Sequence, residues 1–199
     1  MANATATSTE NTHGKAKDGL ISWELFQRKY LSREDAYKYE WLNGVVEKTR
    51  RTVDYTRFYI IQNLQNFFYG LQSQSLMDGA LITEGDVFFL NKHRRPDIAY
   101  FSSAQIQAAA DGVRPVPQFV IEIISNHDAI NRVFLKMQDY RAAGVQVVWH
   151  ILPLTGEVHV FTGGDLRNMT VLTADMQCSA APVLPDFELS VADVLNKRG

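Results

Sequence analysis

Glu122 lies inside Phe119-Val120-Ile121-Glu122-Ile123-Ile124, a run otherwise so apolar that it reads as a strand buried on both faces. A carboxylate stripped of water there costs several kcal/mol unless a cation, a metal or a set of donors compensates. Asp97 opens a second short strand-like run, 97–101, directly after Pro96. Two acids on neighbouring core strands can hold a divalent ion. The plainer readings are a buried structural ion pair for Glu122 and a turn residue for Asp97, since Pro-Asp pairs often mark turns and Pro185-Asp186 is another in this chain.

The elements that must position these acids follow from residue spacing. Trp23, Phe26 and Tyr30 predict a short helix, and Ser32 with Asp35 predicts a capping box for a second turn. Asn43-Gly44, between Tyr39-Glu40-Trp41-Leu42 and Val45-Val46-Glu47, predicts a hairpin; a helix end at Gly44 is the alternative. Ile60, Ile61, Leu64, Phe67, Phe68 and Leu71 recur at helical spacing over 57–71. Strand-like segments follow at 85–90, 97–101 and 118–125, separated by an Ala/Gln/Gly stretch. A helix is expected over 128–143, with Ile130, Val133, Phe134, Met137 and Tyr140 on one side and Gly144 as its stop. Strands at 146–152, 158–162 and 168–173, and a short capped helix over 190–195, complete the pattern. Helix, strands, helix, strands predicts an α/β fold, a mixed sheet flanked by helices.

A chain of 199 residues, 46% hydrophobic and 21% charged, can bury roughly 70% of its unfolded surface in one core. Residues 1–18, rich in Ala, Thr, Ser and Asn, are expected to form a disordered tail, and residues 19–199 a single domain. Cys178 is the only cysteine, which excludes an internal disulfide and a zinc–thiolate cluster. No apolar stretch approaches the ~20 residues that span a bilayer, and the N-terminus lacks a secretion pattern, so a cytoplasmic location and no membrane partner are expected. The net charge of −2 gives no global attraction to polyanions; any grip on phosphates must use local basic clusters.

Four blocks now stand in order: Tyr39-Glu40-Trp41-Leu42-Asn43-Gly44; Arg95-Pro96-Asp97-Ile98-Ala99-Tyr100; Val120-Ile121-Glu122-Ile123-Ile124-Ser125; and Lys136-x-x-x-Tyr140-x-x-Ala143-Gly144-Val145-x-x-Val148-Trp149. Together, from about Ile21 to the C-terminal helix, they resemble the Uma-two family of putative restriction endonucleases. The resemblance implies a restriction-endonuclease-like PD-(D/E)xK core, metal-dependent hydrolysis of DNA phosphodiester bonds, and homodimers. That motif places a lysine two residues after its second acid, where this chain has Ile124. The amine must then come from another element, and Lys136, beside Tyr140 on the following helix, can supply it. Carried over in this way, Asp97, Glu122 and the Ile123 carbonyl hold Mg²⁺ or Mn²⁺, Lys136 steadies the attacking water or the charge building on phosphorus, and Glu40 is an accessory acid. Members commonly carry an acid four residues before the helical lysine, where this chain has Arg132. The alternative is therefore a weakened module that binds nucleic acid or a protein partner without cleavage.

Lys92, Arg94 and Arg95 lead into Asp97, and Arg132 sits on the lysine-bearing helix; these are the expected DNA contacts, with Lys48, Arg50 and Arg51 beside the hairpin as further candidates. A solvated loop is the competing reading. His127 is read as a helix cap or a proton carrier, while His93, His150 and His159 lack zinc spacing and receive no role. Trp23, Trp41 and Trp149 read as core, and Phe58, Tyr59, Phe67, Phe68 and Tyr69 as packing rather than base-stacking residues.

Overall fold

Residues 19–50, 55–125 and 129–198 are described by a computed structural model. The expected tail over 1–18, Arg51, the side chain of Arg50, His127 and the expected helix start at Asp128 lie outside the described residues.

The first described element is α1 (Trp23–Phe26), continuing as a wider turn over Gln27–Leu31 and capped by the Ser22 hydroxyl. The capping box expected at Ser32 and Asp35 does not form. Asp35 instead accepts hydrogen bonds from the Tyr37 N–H (2.9 Å), the Tyr39 hydroxyl (2.7 Å) and Arg33 Nε (2.7 Å). A short acidic side chain that binds the backbone two residues on competes with helix, and here it wins. Strands β1 (Tyr37–Leu42) and β2 (Val45–Arg50) then pair as the predicted hairpin. Asn43 (φ 50°) and Gly44 (φ 97°) both take the positive φ that a two-residue turn of this kind requires.

Helix α2 (Tyr55–Ser73) leads to β3 (Ala80–Thr83), β4 (Val87–Phe89), β5 (Lys92–Arg94) and β6 (Ile98–Phe101). The stretch after β6, read from sequence as a separator, is helix α3 (Ser103–Ala110), held by a reciprocal capping box between Ser102 and Gln105. The chain continues through β7 (Phe119–Ile123), α4 (Ile130–Ala143), β8 (Val147–Leu152), β9 (Glu157–Thr162), β10 (Asn168–Thr173), β11 (Gln177–Ala180), β12 (Leu184–Ser190) and α5 (Val191–Val194). Gly144, at φ 81°, ends α4 in the left-handed conformation as expected. Among the described residues the strands form a six-stranded sheet in the order β10-β9-β8-β7-β6-β3, a four-stranded sheet β2-β1-β5-β4, and the β11-β12 pair. Within the six-stranded sheet β7 and β8 run parallel, joined through α4, and the other neighbours are antiparallel.

Alternation along β7 decides what its side chains meet. Phe119, Ile121 and Ile123 join one core with Ile60, Leu64 and Phe68 of α2, Trp149 and Phe187. Val120 faces the other way, into a second core with Met137 and Tyr140 of α4, Phe89, Val148 and Phe161. Glu122, two residues on from Val120, therefore points to the α4 side.

The apolar side expected for α4 is only partly buried. Met137 and Tyr140 are fully covered, whereas Ile130 and Phe134 are exposed, as is their neighbour Leu135, because the N-terminal half of the helix extends past the sheet-facing core. Phe58 and Tyr69 of α2 are likewise exposed, unlike Phe68, Tyr59 and Phe67, which pack. Trp149 is core. Trp23 and Trp41 are half-buried, packed edge-on to each other beside Phe26, Phe88 and His93. No helix among the described residues is long and apolar enough to cross a membrane.

Candidate active site

Extending the β6–β7 register by one residue past Ile98↔Ile121 sets Asp97 opposite Glu122. Both acids are buried, 3% and 4% exposed. Asp97 Oδ2 accepts the backbone N–H of Ile123 (2.8 Å), which fixes the carboxylate against the end of β7. Its Oδ1 accepts from Arg57 Nη1 (2.6 Å) and Lys38 Nζ (3.4 Å). The second arm of the Arg57 guanidinium donates to the Ile123 carbonyl (3.1 Å). Glu122 is held from α4: Lys136 Nζ stands 3.0 Å from each carboxylate oxygen, and the Tyr140 hydroxyl donates to Oε1. Lys136 and Tyr140 can both reach because residues four apart share one face of a helix. The structure thus brings Asp97, Glu122, the Ile123 carbonyl and Lys136 together, and Lys38, Arg57 and Tyr140 join them.

The cations lie at the rim and the acids at the centre: the Lys38, Lys136 and Arg57 side chains keep 11%, 19% and 27% exposure. This arrangement sets the proton affinities. Burial works against the Asp97 charge, but Lys38, Arg57, Lys136 and the Ile123 N–H outweigh it and hold the carboxyl well below its ordinary range. For Glu122 burial wins, with Asp97 adding repulsion, and its pKa is pushed up despite Lys136. Loss of water works against the Lys136 charge as well, yet the carboxylates of Glu122, Glu40 and Asp97 keep its proton bound above the usual lysine value.

Glu40 connects this cluster to a second one. It is 4% exposed; Oε1 accepts the Arg95 N–H (2.8 Å) and Oε2 accepts from Arg94 Nη1 (3.1 Å). The charges of Lys136, Lys38 and Arg94 overcome its burial and lower its pKa to about 2. Arg94 is buried at the centre of the second cluster. It donates to Glu47 (2.8 Å) and twice to Asp139 Oδ2 (2.9 and 2.7 Å), and Lys92 pairs with Asp139 Oδ1. The expectation that Arg94 grips phosphate is therefore corrected: its guanidinium is spent on carboxylates inside the protein. Lys92 is turned to the same network, and Arg95 to Asp86 (2.5 Å) and the Leu31 carbonyl (3.0 Å). Arg132 is exposed on α4. Lys48 lies 3.6 Å above the Tyr37 ring.

His150 pairs with Glu122 in the β7–β8 register and with His159 across β8–β9. Its Nε2 is buried without a partner among the described residues, and burial, with His159 and Lys136 nearby, lowers its pKa to about 4. His93 is buried, pairs with Asp86 (2.8 Å) and packs among Trp23, Phe26 and Phe88.

Among the described residues no group of three or more His, Cys, Asp or Glu side chains is placed to hold a metal. The donors that do converge are two carboxylates and a peptide carbonyl. These hard oxygens are of the kind that suits Mg²⁺ or Mn²⁺, and the Arg57 guanidinium bridges Asp97 Oδ1 and the Ile123 carbonyl.

Sequence reasoning missed Lys38, Arg57 and Tyr140 as members of the site. A signal existed for two of them: Lys38 is two residues from Glu40 on one strand, and Tyr140 four from Lys136 on one helix. For Arg57 there was none, because its partners are 40 and 66 residues away.

A family model described as Uma2, putative restriction endonuclease, matches residues 23–192. Among solved structures, a putative nuclease belonging to DUF820 from Anabaena variabilis ATCC 29413 is similar at a TM-score of 0.69 and 18% identity, covering 84% of this chain and 96% of that one. At that identity the likeness establishes the fold. No curated protein matches the chain.

Proposed function

The chain belongs to the Uma2 family of putative restriction endonucleases, and from that membership we propose that it is a metal-dependent nuclease hydrolysing phosphodiester bonds of DNA. The single observation that carries this reading is the meeting of Asp97 and Glu122 from adjacent strands with the Lys136 amine delivered from α4. Asp97, Glu122 and the Ile123 carbonyl would hold Mg²⁺ or Mn²⁺. When bound, such an ion polarises a phosphate and lowers the pKa of an attacking water. Lys136, with its proton firmly held, would place positive charge where negative charge builds on the phosphate oxygens. Tyr140 would keep Glu122 aimed at the site by its hydrogen bond. Glu40 would act through Lys136, as one of the carboxylates that keep that amine charged. Exposed Arg132 and the partly exposed Lys92 and Arg95 are the phosphate contacts that remain from the sequence reading, each weaker than a free cation where it already serves a carboxylate. The same reading includes a homodimer, for which exposed Ile130, Phe134 and Leu135 on α4 offer an apolar face.

The test is cleavage of plasmid and single-stranded DNA with Mn²⁺, comparing the parent with Glu122→Gln and Lys136→Ala. Each substitution is expected to lower the rate roughly 10²- to 10³-fold. Undiminished activity in both variants would remove the roles assigned here. The second reading, a binding module without cleavage, is favoured by one feature: Lys38, Arg57 and Lys136 already neutralise the acids. It requires DNA or partner retention with no Mn²⁺-stimulated cleavage and no Mn²⁺ stabilisation in a thermal melt.

A further inference from the structure

Arg57 stands in the first turn of α2 and contacts two oxygens from separate parts of the chain, Asp97 Oδ1 at 2.6 Å and the Ile123 carbonyl at 3.1 Å. The other Asp97 oxygen accepts the Ile123 N–H, while Oδ1 also takes a longer contact from Lys38 Nζ (3.4 Å), so Oδ1 is the oxygen that faces the rim cations. Glu122 is held independently by Lys136 and Tyr140. One organic cation therefore covers two of the three oxygens assigned above to Mg²⁺ or Mn²⁺. A guanidinium and a dication cannot share those lone pairs at contact distance, because unit charges a few ångströms apart repel strongly in a partly desolvated pocket. The Arg57 side chain is the most exposed of the three rim cations, which leaves it a path toward solvent.

We propose that Arg57 is the resident counter-cation of this pocket and competes directly with the divalent ion for Asp97 Oδ1 and the Ile123 carbonyl, so that metal entry requires the guanidinium to withdraw. The inference rests on the metal-binding reading above and deepens it. It makes metal affinity a property tuned by a helix residue that ligates nothing itself. Removing the competitor must strengthen metal binding, the opposite of what is expected from losing a group that merely supports the site.

The experiment titrates Mn²⁺ into the full chain and follows free Mn²⁺ by electron paramagnetic resonance, for the parent, Arg57→Ala, Arg57→Lys and Asp97→Asn. Arg57→Ala is expected to bind roughly tenfold more tightly than the parent. Arg57→Lys should fall between them, since it keeps the charge but cannot fork onto both oxygens. Asp97→Asn should lose the site. Equal affinity in the parent and Arg57→Ala, abolished in Asp97→Asn, would overturn the competition while leaving the metal reading in place. No saturable binding in any of the four would overturn both. A thermal melt without Mn²⁺ checks folding, and should Arg57→Ala fail it, Arg57→Gln takes its place with the same outcomes.

Discussion

Two buried charge clusters lie side by side in this molecule, and they are built inside out from each other. Around Arg94 a single cation sits at the centre, 2% exposed, and carboxylates from β1, β2 and α4 close over it. Around Asp97 and Glu122 the acids are central and the cations form the rim. Arginine cannot shed its proton in a protein, so the first arrangement has no way to relax if a partner leaves. Glu122, whose pKa is already raised, can become neutral, and the rim cations keep partial exposure to solvent. Burial and charge alone do not set how a cluster behaves; which sign occupies the centre decides whether it can take up a proton when a partner is lost.

Substitution should separate the two clusters, most strongly at Arg94. Arg94→Met leaves Glu40, Glu47 and Asp139 facing one another and is expected to cost about 3–5 kcal/mol in urea unfolding. A loss below about 1 kcal/mol would make the two clusters equivalent and dissolve the distinction. Lys136→Ala should show the reverse profile, with cleavage reduced as stated above yet stability changed by no more than about 1 kcal/mol, because Glu122 takes up a proton in compensation.

Acid sharpens the contrast further. The folded-state pKa of Glu40 is about 2, against an ordinary 4.5. A depressed carboxyl stabilises the fold above its unfolded value, and that contribution disappears as pH falls from about 4.5 toward about 2. Glu40→Gln should therefore flatten the stability profile over this window, measured by denaturant melts at stepped pH; an unchanged slope would contradict the assignment. The smallest effect is expected at Lys92, 33% exposed at the edge of the Arg94 cluster, where Lys92→Ala should cost about 0.5 kcal/mol because Arg94 still holds Asp139.

Much of this was legible in the sequence, but unevenly. The β7 acid announced itself because a carboxylate in an apolar run has no cheap explanation, and the Asn43-Gly44 turn and the Gly144 stop follow from backbone sterics alone. The family resemblance supplied Lys136, which the strand pattern with Ile124 in the motif position did not. The charge run 92–95 misled, since loop and strand look alike over so few residues. In β5 His93 and Arg94 are buried, so the middle of the run belongs to the interior while Lys92 and Arg95 stay partly exposed. The strands β3, β5, β11 and β12 are only three to seven residues long and are defined by distant partners, so local periodicity carried little of them. By contrast the Ser102–Gln105 capping box was written in the sequence and passed over.

The lysine-bearing helix is fastened at its C-terminal end. Gly144 and Val145 turn back onto the Arg141 and Tyr140 carbonyls, and Gln146 and Val147 pair with the Gln118 carbonyl at the mouth of β7. Lys136 and Tyr140 are thus counted from the C-terminal end of α4. One residue inserted between Tyr140 and Gly144 would rotate both head groups by about 100° and displace them by ~1.5 Å along the axis. A change of chain length in the last turn of this helix is therefore expected to pull both head groups away from Glu122.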